Sequence, residues 1–124
     1  MKEFDFNNME WHDAILSRIN INREDPGHTD ILELFIQWPD EKKSLLIFRD
    51  VYLALMRLNF GVVSDESIYD ASLLEEDTLE KQVLIAKWKP HYPGIEAVKC
   101  YEIRTNSTNS NIQIFAMSVE NHEL

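Results

Sequence analysis

Cysteine is almost missing from this sequence: Cys100 is the single one among 124 residues. No intramolecular disulfide can form within such a chain, which fits a reducing cytosol. Glycine and proline are scarce too, at 3 and 4 residues. Gly27, Gly61 and Gly94 stand far apart, so there is no glycine-rich phosphate loop, and no Gly-x-Ser-x-Gly elbow exists. Positive charge is in short supply. Twelve basic side chains face 22 acidic ones, for a formal net charge of -10. Such a molecule repels phosphate backbones and anionic membranes, so neither nucleic acid nor membrane is an expected partner. No apolar run approaches the ~18 residues of a membrane span. The stretch Met1 to Met9 lacks the basic n-region and apolar h-region of a signal peptide. The expected location is the cytoplasm.

Chemistry-bearing constellations are few. His12, His28, His91 and His122 include no pair at zinc-ligand spacing, and Cys100 has no partner cysteine. No metal and no cofactor is therefore expected. Cys100 reads as a small half-buried residue rather than a reactive thiol, since no histidine lies close to it in sequence. Trp11-His12-Asp13 places a histidine beside a carboxylate, a pairing that serves general bases. Neighbours in an extended chain point to opposite faces, however. The favoured reading makes Trp11 a plug at one end of the core and has Asp13 bond backbone amides as the first strand begins. Asn106-Ser107-Thr108 matches a glycosylation acceptor but reads as a polar hairpin tip in a cytosolic chain.

What is present is hydrophobic residue in quantity, 44% of the chain with 10% aromatic. That is enough for one domain over residues 1–124. Asp25-Pro26-Gly27-His28, Pro39-Asp40-Glu41 and Pro90 to Gly94 mark turns, and Thr105 to Asn111 reads as a loop tip. Between them the period is mostly two. Ile15, Ser17, Ile19 and Ile21 share one face of the first strand, and Leu32, Leu34, Ile36 and Trp38 one face of the second. Leu45 to Phe48 reads as a covered central strand. Val83 to Trp88, Cys100 to Ile103 and Ile112 to Met117 alternate likewise. Val51 to Phe60 is open to two readings. Asp50 and Gly61 suit a helix cap and stop; a strand sets Tyr52, Ala54, Met56, Leu58 and Phe60 on one face, and its strand-like neighbours favour it. Ser64 to Lys81 suits one short helix or an irregular excursion. The fold class is mainly β: an antiparallel sandwich or curled sheet of six to eight strands, with one short helix or irregular acidic insertion.

That insertion is the most unusual feature. Asp65, Glu66, Asp70, Glu75, Glu76, Asp77 and Glu80 fall in a window without lysine or arginine. A solvated edge anchored by Ile68, Leu73, Leu74 and Leu79 is one reading. A docking surface for a basic protein is the other, with Asp65, Glu66, Tyr69, Asp70, Glu75, Glu76 and Asp77 as its contact residues. Acidic patches steer cationic partners and speed their association, and tyrosine is common at interface hot spots.

Trp11-His12-Asp13, Asn59-Phe60-Gly61 and the tail from Thr105-Asn106-Ser107-Thr108 through Ile112-Gln113-Ile114-Phe115-Ala116 together resemble a family. It is that of small uncharacterised bacterial proteins that open with a Trp-His-Asp motif and end in a Thr-Asn-Ser hairpin. In size, charge and class the chain is also similar to immunity proteins of polymorphic toxin systems. Neither resemblance supplies a catalytic residue. Three functions follow as expectations. The first is a non-catalytic inhibitor of a basic toxin. The second is a ligand-binding or enzymatic sandwich whose pocket is lined from Trp11, Trp38, Trp88, Tyr52 or Tyr92. The third is a homodimeric assembly module pairing through an edge strand.

Overall fold

The cleanest alternation in the sequence becomes β2 (Leu32–Gln37). Leu32, Leu34 and Ile36 are buried on one face, and Trp38 continues that face beyond the strand. The computed structural model describes residues 4–124. Met1, Lys2 and Glu3, part of the stretch weighed above as a signal peptide, lie outside the described residues. The other strands are β1 (Ile15–Ile21), β3 (Lys43–Arg57), β4 (Ile68–Leu74), β5 (Lys99–Thr105) and β6 (Asn111–Glu123). One helix, α1 (Leu79–Trp88), lies between β4 and β5. All six strands join in one antiparallel sheet, ordered β1-β2-β3-β6-β5-β4.

A two-sheet sandwich is not formed; a bent single sheet does the same work. The first half of β3 pairs with β2 and with the last half of β6. Its second half pairs with Asn111 to Ala116 of β6, which in turn carries β5. Between the halves Asp50 has a φ of 51° and Tyr52 is an unpaired extra residue. Bulges of this kind let one long strand pass from one layer to another. The bend brings β1 and β2 over β4 and β5. The two edges meet at an isolated bridge between Ile15 and Ser67, and Ile68 donates its amide to the Ala14 carbonyl at 2.7 Å. Beyond that bridge the edges part, so no barrel closes.

The main core fills the inside of the bend. Phe48 of one layer meets Tyr101 of the other with ring centroids 5.2 Å apart, and Phe6 packs on both. Edge-to-face contacts of this kind add to the area the rings bury. Trp11 plugs this core, its ring centroid 4.8 Å from that of Phe6 and tilted against it, with its indole N–H donated to the Phe6 carbonyl at 2.6 Å. A second cluster lies on the outer face, where Leu84 of α1 covers Phe115, Cys100 and Val98.

Four readings need correction. Trp11-His12-Asp13 forms a turn before β1 rather than opening it, and Asp13 takes a φ of 68°. Within β1 a bulge at Ser17 resets the period, so Leu16 and Ile19 face the core instead of Ile15 and Ser17. Val83 to Trp88 is not a strand but the body of α1. Thr78 caps that helix by accepting the Lys81 amide, and Leu84, Ile85 and Trp88 form its inward stripe. Six alternating residues fit both periods, and the cap settles which one is used. Finally, Ser64 to Lys81 holds the regular strand β4 before α1 begins. The preference for a strand over Val51 to Phe60 agrees with β3 up to Arg57; Leu58, Asn59 and Phe60 lie beyond it.

Candidate protein-binding surface

β4 divides the acidic window into two parts. Its strand rise sets the two ends about 20 Å apart. At the first end, Glu66 turns inward along the surface. Its carboxylate accepts the Thr108 amide at 3.2 Å and the Thr108 hydroxyl. Asp70 is held by Arg104, whose Nε donates at 2.7 Å while a terminal nitrogen donates to the second oxygen. The hydrogen bond from that guanidinium, opposed by partial burial, keeps the Asp70 carboxyl below the ordinary carboxylate range. Arg104 also lies 5.4 Å from the centre of the Tyr69 ring. Tyr69 is the extra residue of a bulge in β4 and stands half exposed. Of this first group only Asp65 keeps an exposed carboxylate clear of any ion pair among the described residues.

The second end is different. Glu75, Glu76 and Asp77 follow one another in the exposed loop between β4 and α1. Among the described residues no ion pair engages any of them. The Asp77 carboxylate receives a long contact at 3.5 Å from the Gln82 side-chain amide, whose nitrogen also donates to the Asp77 carbonyl at 3.0 Å. The seven proposed contact residues therefore do not form one patch: Asp65, Glu66, Tyr69 and Asp70 lie together, and Glu75, Glu76 and Asp77 lie apart from them.

An apolar knuckle was missed by sequence reasoning. Between β3 and β4 the chain crosses the tip of the β5–β6 hairpin, exposing Leu58, Phe60, Val62 and Val63; Phe60 is 85% exposed. Phe60 was placed on a strand face, where it is not. The loop is nonetheless held at both ends. Asn59 donates its amide to Ser110 Oγ at 2.9 Å and its side-chain nitrogen to the carbonyls of Thr108 and Asn109. At the far end Ser67 donates its amide to Ser107 Oγ at 3.1 Å, Ser107 donates to the Asp65 carbonyl, and Glu66 grips Thr108. Asn59 and Gly61 were the available signal, a turn pair flanking one large apolar residue; Gly61 has a φ of 93°.

Other candidates do not converge. His12 donates from Nδ1 to the Tyr69 carbonyl at 3.1 Å, and its Nε2 lies 3.8 Å from Asp13 Oδ1. Both side chains are at least 70% exposed, on an open surface. Among the described residues the Asp13 carboxylate accepts no backbone amide; its own amide donates to the Ile68 carbonyl instead. Cys100 is fully buried rather than half-buried, and burial together with Glu102 pushes its thiol up to about 11. The five aromatics proposed for a pocket are scattered. Trp11 is in the core. Tyr52, Trp88 and Tyr92 form an outer cluster, with Tyr52 5.2 Å from Trp88 and 6.3 Å from Tyr92. Trp38 lines a cavity of about 810 Å³ with Met9, Lys43, Asn121 and Glu123. Among the described residues no three His, Cys, Asp or Glu side chains gather as a metal site, and no helix is long and apolar enough to cross a membrane. No protein-family model matches the chain, and no curated protein matches it.

Proposed function

We propose that this chain is a non-catalytic protein-binding module, an immunity-type inhibitor that acts in the cytoplasm by docking an acidic surface on a basic toxin domain. The observation that carries the reading is the loop Glu75-Glu76-Asp77, three consecutive exposed carboxylates left out of every ion pair among the described residues. On a molecule of net charge -10 these groups draw a cationic partner in from a distance and accelerate encounter. A nuclease partner fits this chemistry, because carboxylates compete for the side chains that hold phosphates. The same charge disfavours nucleic acid, anionic membrane and a second copy of the chain as partners.

The test is rescue and binding together. Proteins encoded beside this chain in its genome are expressed singly and with it. A basic protein whose toxicity the chain suppresses, and which it binds with strong salt dependence, supports the reading. Neighbouring proteins that carry no excess positive charge, or a toxic one that the chain neither binds nor suppresses, sink it. A second reading, small-ligand binding, is favoured by the cavity at Trp38, beside which the buried Oδ1 of Asn121 has no hydrogen-bond partner among the described residues.

A further inference from the structure

We infer that the knuckle formed by Phe60, Val62 and Val63 is the anchor of that interface, inserted into an apolar recess with a basic rim on the partner protein. The inference rests on the proposed protein-binding function and adds what holds the complex once charge has brought it together. Exposed single apolar residues are ordinary; consecutive ones on a fastened loop are not. Phe60 is 85% exposed and Val63 wholly so, yet six hydrogen bonds, five donated by Asn59, Ser67 and Ser107 and one accepted by Glu66 from Thr108, fasten the loop to the hairpin tip. A loop fixed beforehand loses little freedom on binding, which favours affinity. No Cβ placed on Gly61 would touch a neighbour, so glycine is there for its φ of 93°, the conformation that turns the chain between Phe60 and Val62.

Charge selects the occupant. Asp65 is exposed at the knuckle's foot, Asp70 already neutralises Arg104, and Arg57 is the one cation leading into the loop. Two copies meeting here would each bring a net charge of -10, and an anionic lipid surface would repel it likewise. A basic protein gains from both the apolar tip and its surroundings. Steering and holding are then separable: the Glu75–Asp77 loop governs the association rate, and the knuckle governs dissociation.

The experiment places a photo-cross-linking phenylalanine at position 60, and separately at the exposed control position Asn20, in the full chain within its source cells. The cross-linked protein is identified by mass spectrometry and purified, and its binding to the chain is followed by stopped flow. The expected product at position 60, absent at Asn20, has an isoelectric point above about 9. Phe60→Asp should raise its dissociation rate about 100-fold, equivalent to about 2.7 kcal/mol. Glu75→Gln/Glu76→Gln/Asp77→Asn should lower its association rate and leave dissociation unchanged. A basic partner that dissociates from Phe60→Asp at the wild-type rate overturns the anchor and leaves the proposed function standing. Failure to capture any basic protein, in an assay where the chain also suppresses no basic toxin, overturns both. A second copy captured at position 60, or flotation of the chain with phosphatidylcholine vesicles that Phe60→Asp abolishes, overturns the inference in favour of that occupant.

Discussion

At the start of β4 the carboxylates of Glu66 and Asp70 are bonded to groups of the same molecule; at its end those of Glu75 and Glu76 are exposed and in no ion pair among the described residues, and that of Asp77 has one long contact. A charge count treats the two ends alike. Structure ties the first to holding loops together and leaves the second outside every ion pair among the described residues. Negative charge along a sequence is therefore a poor measure of negative surface, because a carboxylate that accepts two local hydrogen bonds is part of the scaffold.

The sharpest way to break this comparison is to truncate Glu66. Its carboxylate is part-buried and joins the β3–β4 crossing to the β5–β6 tip through Thr108. Glu66→Ala leaves the Thr108 donors without that acceptor and should destabilise the fold by about 2 kcal/mol. For a domain of this size that lowers Tm by about 8 °C. Thr108→Val should cost less, and the double variant little more than Glu66→Ala alone, since the two report one interaction. Thermal unfolding of the four proteins checks this. Additive losses, or none, would mean that Glu66 is as free as Glu75.

The next effect belongs to the other end. Neutralising Glu75, Glu76 and Asp77 together should shift stability by no more than about 0.5 kcal/mol, as surface changes usually do. The same triple variant should slow association with a basic partner about tenfold at low salt, and the gap should close as salt rises. A large loss of Tm in this variant would place these groups in the scaffold with Glu66.

The difference between the two ends explains what the sequence made legible. β2 was readable because Leu32, Leu34, Ile36 and Trp38 alternate without interruption. β5 and the Ile112 to Met117 part of β6 were readable for the same reason, and the loop tip between them for its lack of apolar residues; Ser118 to Glu123, the rest of β6, has no such alternation. Where a bulge adds a residue, at Ser17, the period slips and the wrong side chains are assigned to the core. The helix was hidden because six residues of α1 satisfy a period of two. Glu75, Glu76 and Asp77 were legible as exposed charge because no distant partner modifies them. Glu66 and Asp70 were not: their partners Thr108 and Arg104 lie 42 and 34 residues away, a distance no local pattern spans. Phe60 was misplaced because the strand pattern runs past Arg57 while the pairing to β6 stops there.

The smallest effect is the most specific, because pH reads the Asp70–Arg104 pair directly. Arg104 holds the Asp70 carboxyl below its ordinary value in the folded protein. Its contribution to stability is thus full above the unfolded carboxylate pKa of about 4, and is lost as pH falls through the lowered folded value. Both side chains are about half exposed, at 46% and 50%, so solvent screens the pair and its worth at neutral pH is about 0.5 kcal/mol. Glu120 complicates the raw curve, since Arg49 and His122 lower its pKa too. The difference between wild type and Asp70→Asn removes that complication, because Glu120 titrates alike in both. Denaturant midpoints measured from pH 7 down to pH 2 should show this difference constant to about pH 4 and vanishing below it. Should the Asp70→Asn difference stay flat down to pH 2, the Arg104 pair would hold nothing in the folded protein and Asp70 would have to leave the scaffold.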